Sequence, residues 1–183
     1  MSLAKLLRKA GRVAAGGAAL AAAALAAACS SGGKGANLVC PPAAIAPELN
    51  MIPQFGAGAG QGVADVQASG IITSVKTACE RAEGGITIHT SVGITARRAY
   101  LQVKETRLPY FIAVADARQH ILTKQPFNDT VQFVGGEPYR SVNEEFTVRL
   151  PVNSPAAGGD YVVLVGFQLT PDQREFMRRH TPQ

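Results

Sequence analysis

The sequence predicts a mainly β protein, an antiparallel β-sandwich of about seven strands with a short C-terminal helix. Three observations carry this. Ile86, Ile88, Thr90, Val92 and Ile94 alternate with Thr87, His89, Ser91, Gly93 and Thr95, the period of a half-buried strand. Residues 108–115 (LPYFIAVA) and 161–169 (YVVLVGFQL) are near-continuous apolar runs of strand length, as expected of central strands; at 108–115 both faces are apolar, which fits either burial on both sides or a docking surface for another subunit. Clusters of Gly, Pro, Asn and Asp punctuate the chain from residue 63 onward at short intervals, the spacing of a sandwich rather than of strands joined by helices.

In chain order, residues 66–78 are β-rich and end at Cys79. Arg81-Ala82-Glu83-Gly84-Gly85 is a turn that pairs this strand with the alternating one as a hairpin. Arg97-Arg98-Ala99-Tyr100 opens a connection to the run at 108–115, and Asp116 to His120 turns the chain again. A strand begins at Ile121, and residues 130–134 continue or follow it. Gly135-Gly136-Glu137-Pro138 is the next turn. Residues 141–150 then set Phe146, Val148 and Leu150 against Glu145, Thr147 and Arg149. Residues 151–159 form a loop before the last strand. Thr170-Pro171-Asp172-Gln173 starts a helix, with Thr170 as cap, Pro171 at the first position and Gln173 closing a capping box. Phe176 and Met177 are expected to pack on the sandwich.

The N-terminal third is different. Lys5, Arg8, Lys9 and Arg12 precede an alanine-rich apolar stretch over 13–25, and Ala26-Ala27-Ala28 lead to Cys29. A basic segment, a short apolar segment and small residues are the parts of an export signal, and the stretch is shorter than the roughly 20 residues a membrane span needs. Residues 30–37 are a polar, Gly-rich tether. Residues 38–53 hold Pro41, Pro42, Pro47 and Pro53 and read as an extended arm laid over the domain. Gly56-Ala57-Gly58-Ala59-Gly60-Gln61-Gly62 has the outward look of a phosphate-cradling loop. A dinucleotide fingerprint needs a strand before it and a helix after it; here Pro53 lies just upstream and residues 65–77 downstream read as strand, so it reads as a connector. The expected organisation is a signal peptide over 1–28, a lipidated tether and arm over 29–62, and the sandwich with its helix over 63–183.

Residues 20–33, a small-residue run ending in Cys29 and followed by Ser30-Ser31-Gly32-Gly33, resemble the signal and lipobox of a bacterial lipoprotein. Ala26 stands where the lipobox usually carries leucine. The resemblance implies a diacylglyceryl group and acyl chain on Cys29. In an oxidising compartment an odd thiol is a liability. With Cys29 acylated, Cys40 and Cys79 are left as an even pair, expected to form a disulfide; the alternative is two buried free thiols. His89, His120 and His180 lie far from the cysteines in sequence, and no metal-ligand spacing occurs.

The chain carries 18 Lys+Arg against 13 Asp+Glu. Residues 1–28 hold four of the basic residues and no acidic one, so the processed chain has 14 against 13, a net charge of +1. That removes the electrostatic case for nucleic acid as a partner. No catalytic residue, metal set or cofactor is assigned. His89 falls on the polar side of its strand. Glu144 and Glu145 are adjacent, point to opposite faces and read as solvated charges. Arg97, Arg98 and Tyr100, with Arg178 and Arg179, form the candidate interaction surface, for anionic headgroups or an acidic partner; surface charge and helix capping are the plain alternative.

Residues 161–173, 110–114 and Cys40-Pro41 resemble a group of small uncharacterised lipoproteins of alphaproteobacteria. The resemblance implies a cell-envelope lipoprotein with no assigned activity, and Ser30 after the lipidated cysteine implies the outer membrane, periplasmic face. The expected function is that of a structural or protein-interaction module on an immunoglobulin- or fibronectin-III-like sandwich, with the lipid as membrane anchor and an envelope protein as partner. The alternative is a carrier with an apolar pocket between its sheets; an enzyme is not expected.

Overall fold

The structure, a computed structural model, describes residues 37–180. Two four-stranded sheets face each other. Strands β1 (Ala43–Ile45), β8 (Tyr161–Phe167), β5 (Glu105–Asp116) and β6 (Ile121–Gln132) form the first, in that order. The second runs β2 (Met51–Phe55), β3 (Val66–Ala82), β4 (Gly85–Arg98) and β7 (Tyr139–Pro151). All pairings are antiparallel except β1 with β8. The helix α1 spans Pro171–His180.

The sandwich is as expected, with one strand more than the seven read from sequence. The arm is the source of the difference. Residues 43–45 and 51–55 add an edge strand to each sheet rather than lying over a finished domain. The strand order also differs from the immunoglobulin arrangement, which puts strands A, B, E and D in one sheet. Here the consecutive strands β2, β3 and β4 are neighbours, so the likeness is one of architecture.

The core lies between the sheets. From β4, Ile86, Ile88, Thr90, Val92, Ile94 and Ala96 all point inward and are buried, the period read from the sequence. They meet Leu108, Tyr110, Ile112 and Val114 of β5 and Val163, Val165 and Phe167 of β8. The other face of β5 is apolar too, and Phe111 and Ala113 are covered by Ala46 and Leu49 from the β1–β2 segment. In β3 the register shifts between Ile72 and Ser74, a bulge that moves the inward set from Ala68, Gly70 and Ile72 to Val75 and Cys79. At Gly70 the sheets come close: a Cβ there would sit 2.7 Å from Leu108 Cδ2, so a larger residue would have to displace that leucine.

The disulfide joins Cys40 to Cys79. It links the chain just before β1 in one sheet to β3 in the other, and Thr77 Oγ1 donates to the Pro41 carbonyl beside it (2.9 Å). The capping box forms as expected: Gln173 N–H donates to Thr170 Oγ1 and Thr170 N–H to Gln173 Oε1. Phe176 packs edge-on against Phe55, which seats α1 on β2. Among the described residues no helix is long and apolar enough to cross a membrane.

The strand directions give the sandwich two ends. One carries the β4–β5 and β6–β7 connections and the start of β3; we call it the loop end. The other carries the β3–β4 turn, with Gly84 at φ +67°, the β5–β6 turn and the 3-10 turn Pro155–Asp160. The described chain enters at this second end, where Val39 N–H donates to the Pro155 carbonyl. A 14-residue strand such as β4, at roughly 3.3 Å per residue, sets the two ends about 45 Å apart.

Candidate functional site

Alternation along β4 does not stop at Ala96. The next inward position is Arg98, and the structure corrects the expectation that this arginine belongs to a surface cluster: it is 2% exposed. Its guanidinium donates to three carbonyls on two loops. Nη1 reaches Leu101 O at 3.2 Å and Val103 O at 3.1 Å, and Nη2 reaches Gly135 O at 2.5 Å. Its Cζ lies 5.3 Å from the centre of the Phe133 ring. Arg98 thus ties the β4–β5 loop to the β6–β7 loop from beneath. Carbonyl oxygens, with no carboxylate, satisfy the charge, and Nε is left without a partner.

Above this clamp the loop end exposes large apolar side chains. Tyr100, Leu101, Val134 and Tyr139 are 44%, 60%, 64% and 56% exposed. Tyr100 and Leu101 come from the β4–β5 loop; Val134 and Tyr139 flank the β6–β7 loop. Tyr100 Oη donates to the Ala64 carbonyl (3.3 Å), which fixes the ring against the 3-10 turn Val63–Asp65. Arg97, on the outward phase of β4, is exposed and is the register partner of Tyr139. Arg97, Arg98 and Tyr100 therefore do converge on one end, but in different roles: one surface cation, one buried clamp, one exposed aromatic.

The remaining expected residues lie elsewhere. Arg178 and Arg179 are on α1 and both pair with Glu175, so they are helix-surface ion pairs. Cys29 falls outside the described residues. His89 is exposed as expected, pairing with Glu80 at 3.4 Å and with Thr147. His120 closes its turn against Asp116, and His180 stacks on Phe176. Among the described residues no group of three or more His, Cys, Asp or Glu side chains gathers to hold a metal.

The structure also corrects the reading of Glu144 and Glu145 as a pair of solvated charges. Glu145 is exposed, but Glu144 is half-buried on the inward phase of β7. Asp129 occupies the matching phase of β6, with Oδ2 buried and unpartnered. β6 and β7 are edge strands of opposite sheets, and an inward-pointing charge is a known guard against edge-to-edge pairing. Burial and the charge of Asp129 hold the Glu144 carboxyl above its ordinary value. The buried Tyr110 hydroxyl, stacked on Phe127, is likewise held high, first by burial and then by Asp129 and Glu144. The folded state therefore takes up a proton at Glu144 at a higher pH than the unfolded chain does. Stability from this source is gained as pH falls through the raised folded value and lost as pH rises through it. Removing one like charge from such a facing pair is worth about 0.5 kcal/mol. Glu144→Gln is thus expected to raise the melting midpoint at pH 7 by about 2 °C and to lose that advantage as pH falls below the ordinary glutamate range. Thermal melts of both proteins across this range check it, and a difference independent of pH would refute it.

Compared with known proteins, the chain matches no family model and no curated protein sequence.

Proposed function

We propose that the chain is a lipid-anchored cell-envelope lipoprotein, held by Cys29 on the periplasmic face of the outer membrane, whose sandwich is a protein-interaction module. One observation carries the reading: an apolar and aromatic patch, preorganised on the Arg98 clamp, lies at the end of the sandwich opposite the one where the chain enters. Exposed apolar patches of this kind mark interaction sites, and aromatic residues are enriched where proteins dock. Eight positions separate Cys29 from Asn37, a reach of at most about 28 Å. An anchor at Cys29 attaches through the entry end and leaves the loop end clear of the point of attachment. The disulfide at Cys40–Cys79 fits an oxidising compartment. The resemblance to small uncharacterised lipoproteins of alphaproteobacteria points the same way. The patch offers apolar contact area and no nucleophile–base pair, so we read it as binding without catalysis.

A photocrosslinker at Leu101 or Val134 in intact cells is expected to trap a protein partner, and one at Thr123 on the far end to trap none. Leu101→Asp, at an exposed position, should leave the melting midpoint within about 1 °C and abolish the adduct formed from position 134. Equal yields from positions 101 and 123 would sink the reading. The anchor is tested separately by intact mass: the processed protein should begin at Cys29 and carry acyl mass.

A further inference from the structure

We propose that the outer face of the second sheet binds a single-chain amphiphilic carboxylate in a groove between α1 and Arg97. The groove, open to solvent along one side, offers about 370 Å³, near the lower end of the roughly 300–1,000 Å³ typical of small-molecule sites. That is room for one acyl chain and too little for a folded partner. Met51 and Pro53 of β2, Val63 before β3 and Phe176 of α1 supply its apolar walls. Pro53, Ser69 and Arg97 lie side by side in one row across β2, β3 and β4, so the sheet floor passes from apolar to hydroxyl to cation.

Charge complementarity decides the occupant. The Arg97 guanidinium makes no hydrogen bond or ion pair with any described residue, in contrast to those of Arg98, Arg149, Arg178 and Arg179. Among the described residues no acidic side chain lines the groove. A guanidinium offers a fork of donors that matches a carboxylate, and the hydroxyl of Ser69, next in the row, can donate to the same group. A neutral chain would fill the walls and leave the cation unanswered; a cationic one would oppose it. The site is on the outside of the sandwich, because the space between the sheets is filled by the core. It shares none of the four exposed side chains of the loop-end patch, so it stands or falls apart from that reading.

The test is calorimetric titration of the full chain with decanoate, decanamide and decyltrimethylammonium at pH 7.5. Decanoate is expected to bind one equivalent, about tenfold more tightly than the amide, with no binding of the cation. Arg97→Gln should bring decanoate down to the affinity of the amide and leave the amide unchanged. Val63→Asp, at an exposed position in the groove wall, should weaken both, and Arg178→Gln neither. Equal affinity for acid and amide, unaltered decanoate binding in Arg97→Gln, or no binding of decanoate would each overturn the proposal.

Discussion

Arg98→Met is expected to destabilise the protein by about 3 kcal/mol, lowering the melting midpoint by roughly 9 °C. Arg98 is a charge buried without a carboxylate, and replacing a buried ionic network with apolar side chains is often neutral or better. That outcome requires both partners to be replaced together. Here the acceptors are main-chain carbonyls of Leu101, Val103 and Gly135, which no side-chain substitution can remove. Methionine would keep the stem packed toward Phe133 and strand the carbonyls of Val103 and Gly135, while the Leu101 carbonyl keeps Lys104 Nζ as donor (3.2 Å), so the penalty for the two unmade bonds dominates. Lysine separates charge from shape. Its single ammonium cannot span two loops as the fork does, so Arg98→Lys should recover less than half of the loss. Hydrogen exchange should quicken at 99–104 and 133–138 in both variants while the β3–β4 pairing stays protected. A midpoint within about 1 °C of wild type in Arg98→Met would show that the guanidinium holds nothing the loops do not hold by themselves. Because Leu101 and Val134 ride on those two loops, the same variant should also lose the crosslinked partner.

The place of Arg98 is written in the sequence, one step along the alternation from Ala96. Ile86 through Ala96 share one phase, and Arg98 is its next member. Charge argues for the surface and period for the interior, and period wins where carbonyls converge to receive the charge. The same conflict governs Glu144, whose phase is that of Phe146 and Val148. β3 is harder to read, because the bulge after Ile72 breaks its period. β1 and β2 are hidden by their prolines and shortness. Three residues pair with β8 in one case, and in the other five lie at an edge where Pro53 is tolerated. Long strands with one buried face, the helix cap and the cysteine pair are legible, since each is set by local chemistry or parity. The loop-end patch is not: Tyr100 and Leu101 lie more than 30 positions before Val134 and Tyr139, and only the strand order brings them together.

Cys40→Ser/Cys79→Ser should cost more than the loss of the Arg98 clamp. The bridge closes a separation of 39 residues, and on the chain-entropy account such a loop is worth about 4 kcal/mol, or roughly 12 °C in melting midpoint. The fold gives the loss a location. β1 is three residues long and pairs only with β8, so its own hydrogen bonds cannot hold the arm down. The link from Cys40 to β3, with the Thr77 bond to Pro41 beside it, fastens the arm to the opposite sheet. Without it β1 should fray first, taking with it the Ala46 and Leu49 cover over Phe111 and Ala113. Exchange should then rise at 43–46 and at Val163, whose N–H donates to the Pro42 carbonyl, before β4 and β5 are affected. Reducing the wild-type protein should reproduce both the midpoint and the exchange pattern of the double variant. Loss spread evenly over all eight strands would mean that the bridge acts on the unfolded chain alone and does nothing to seat β1.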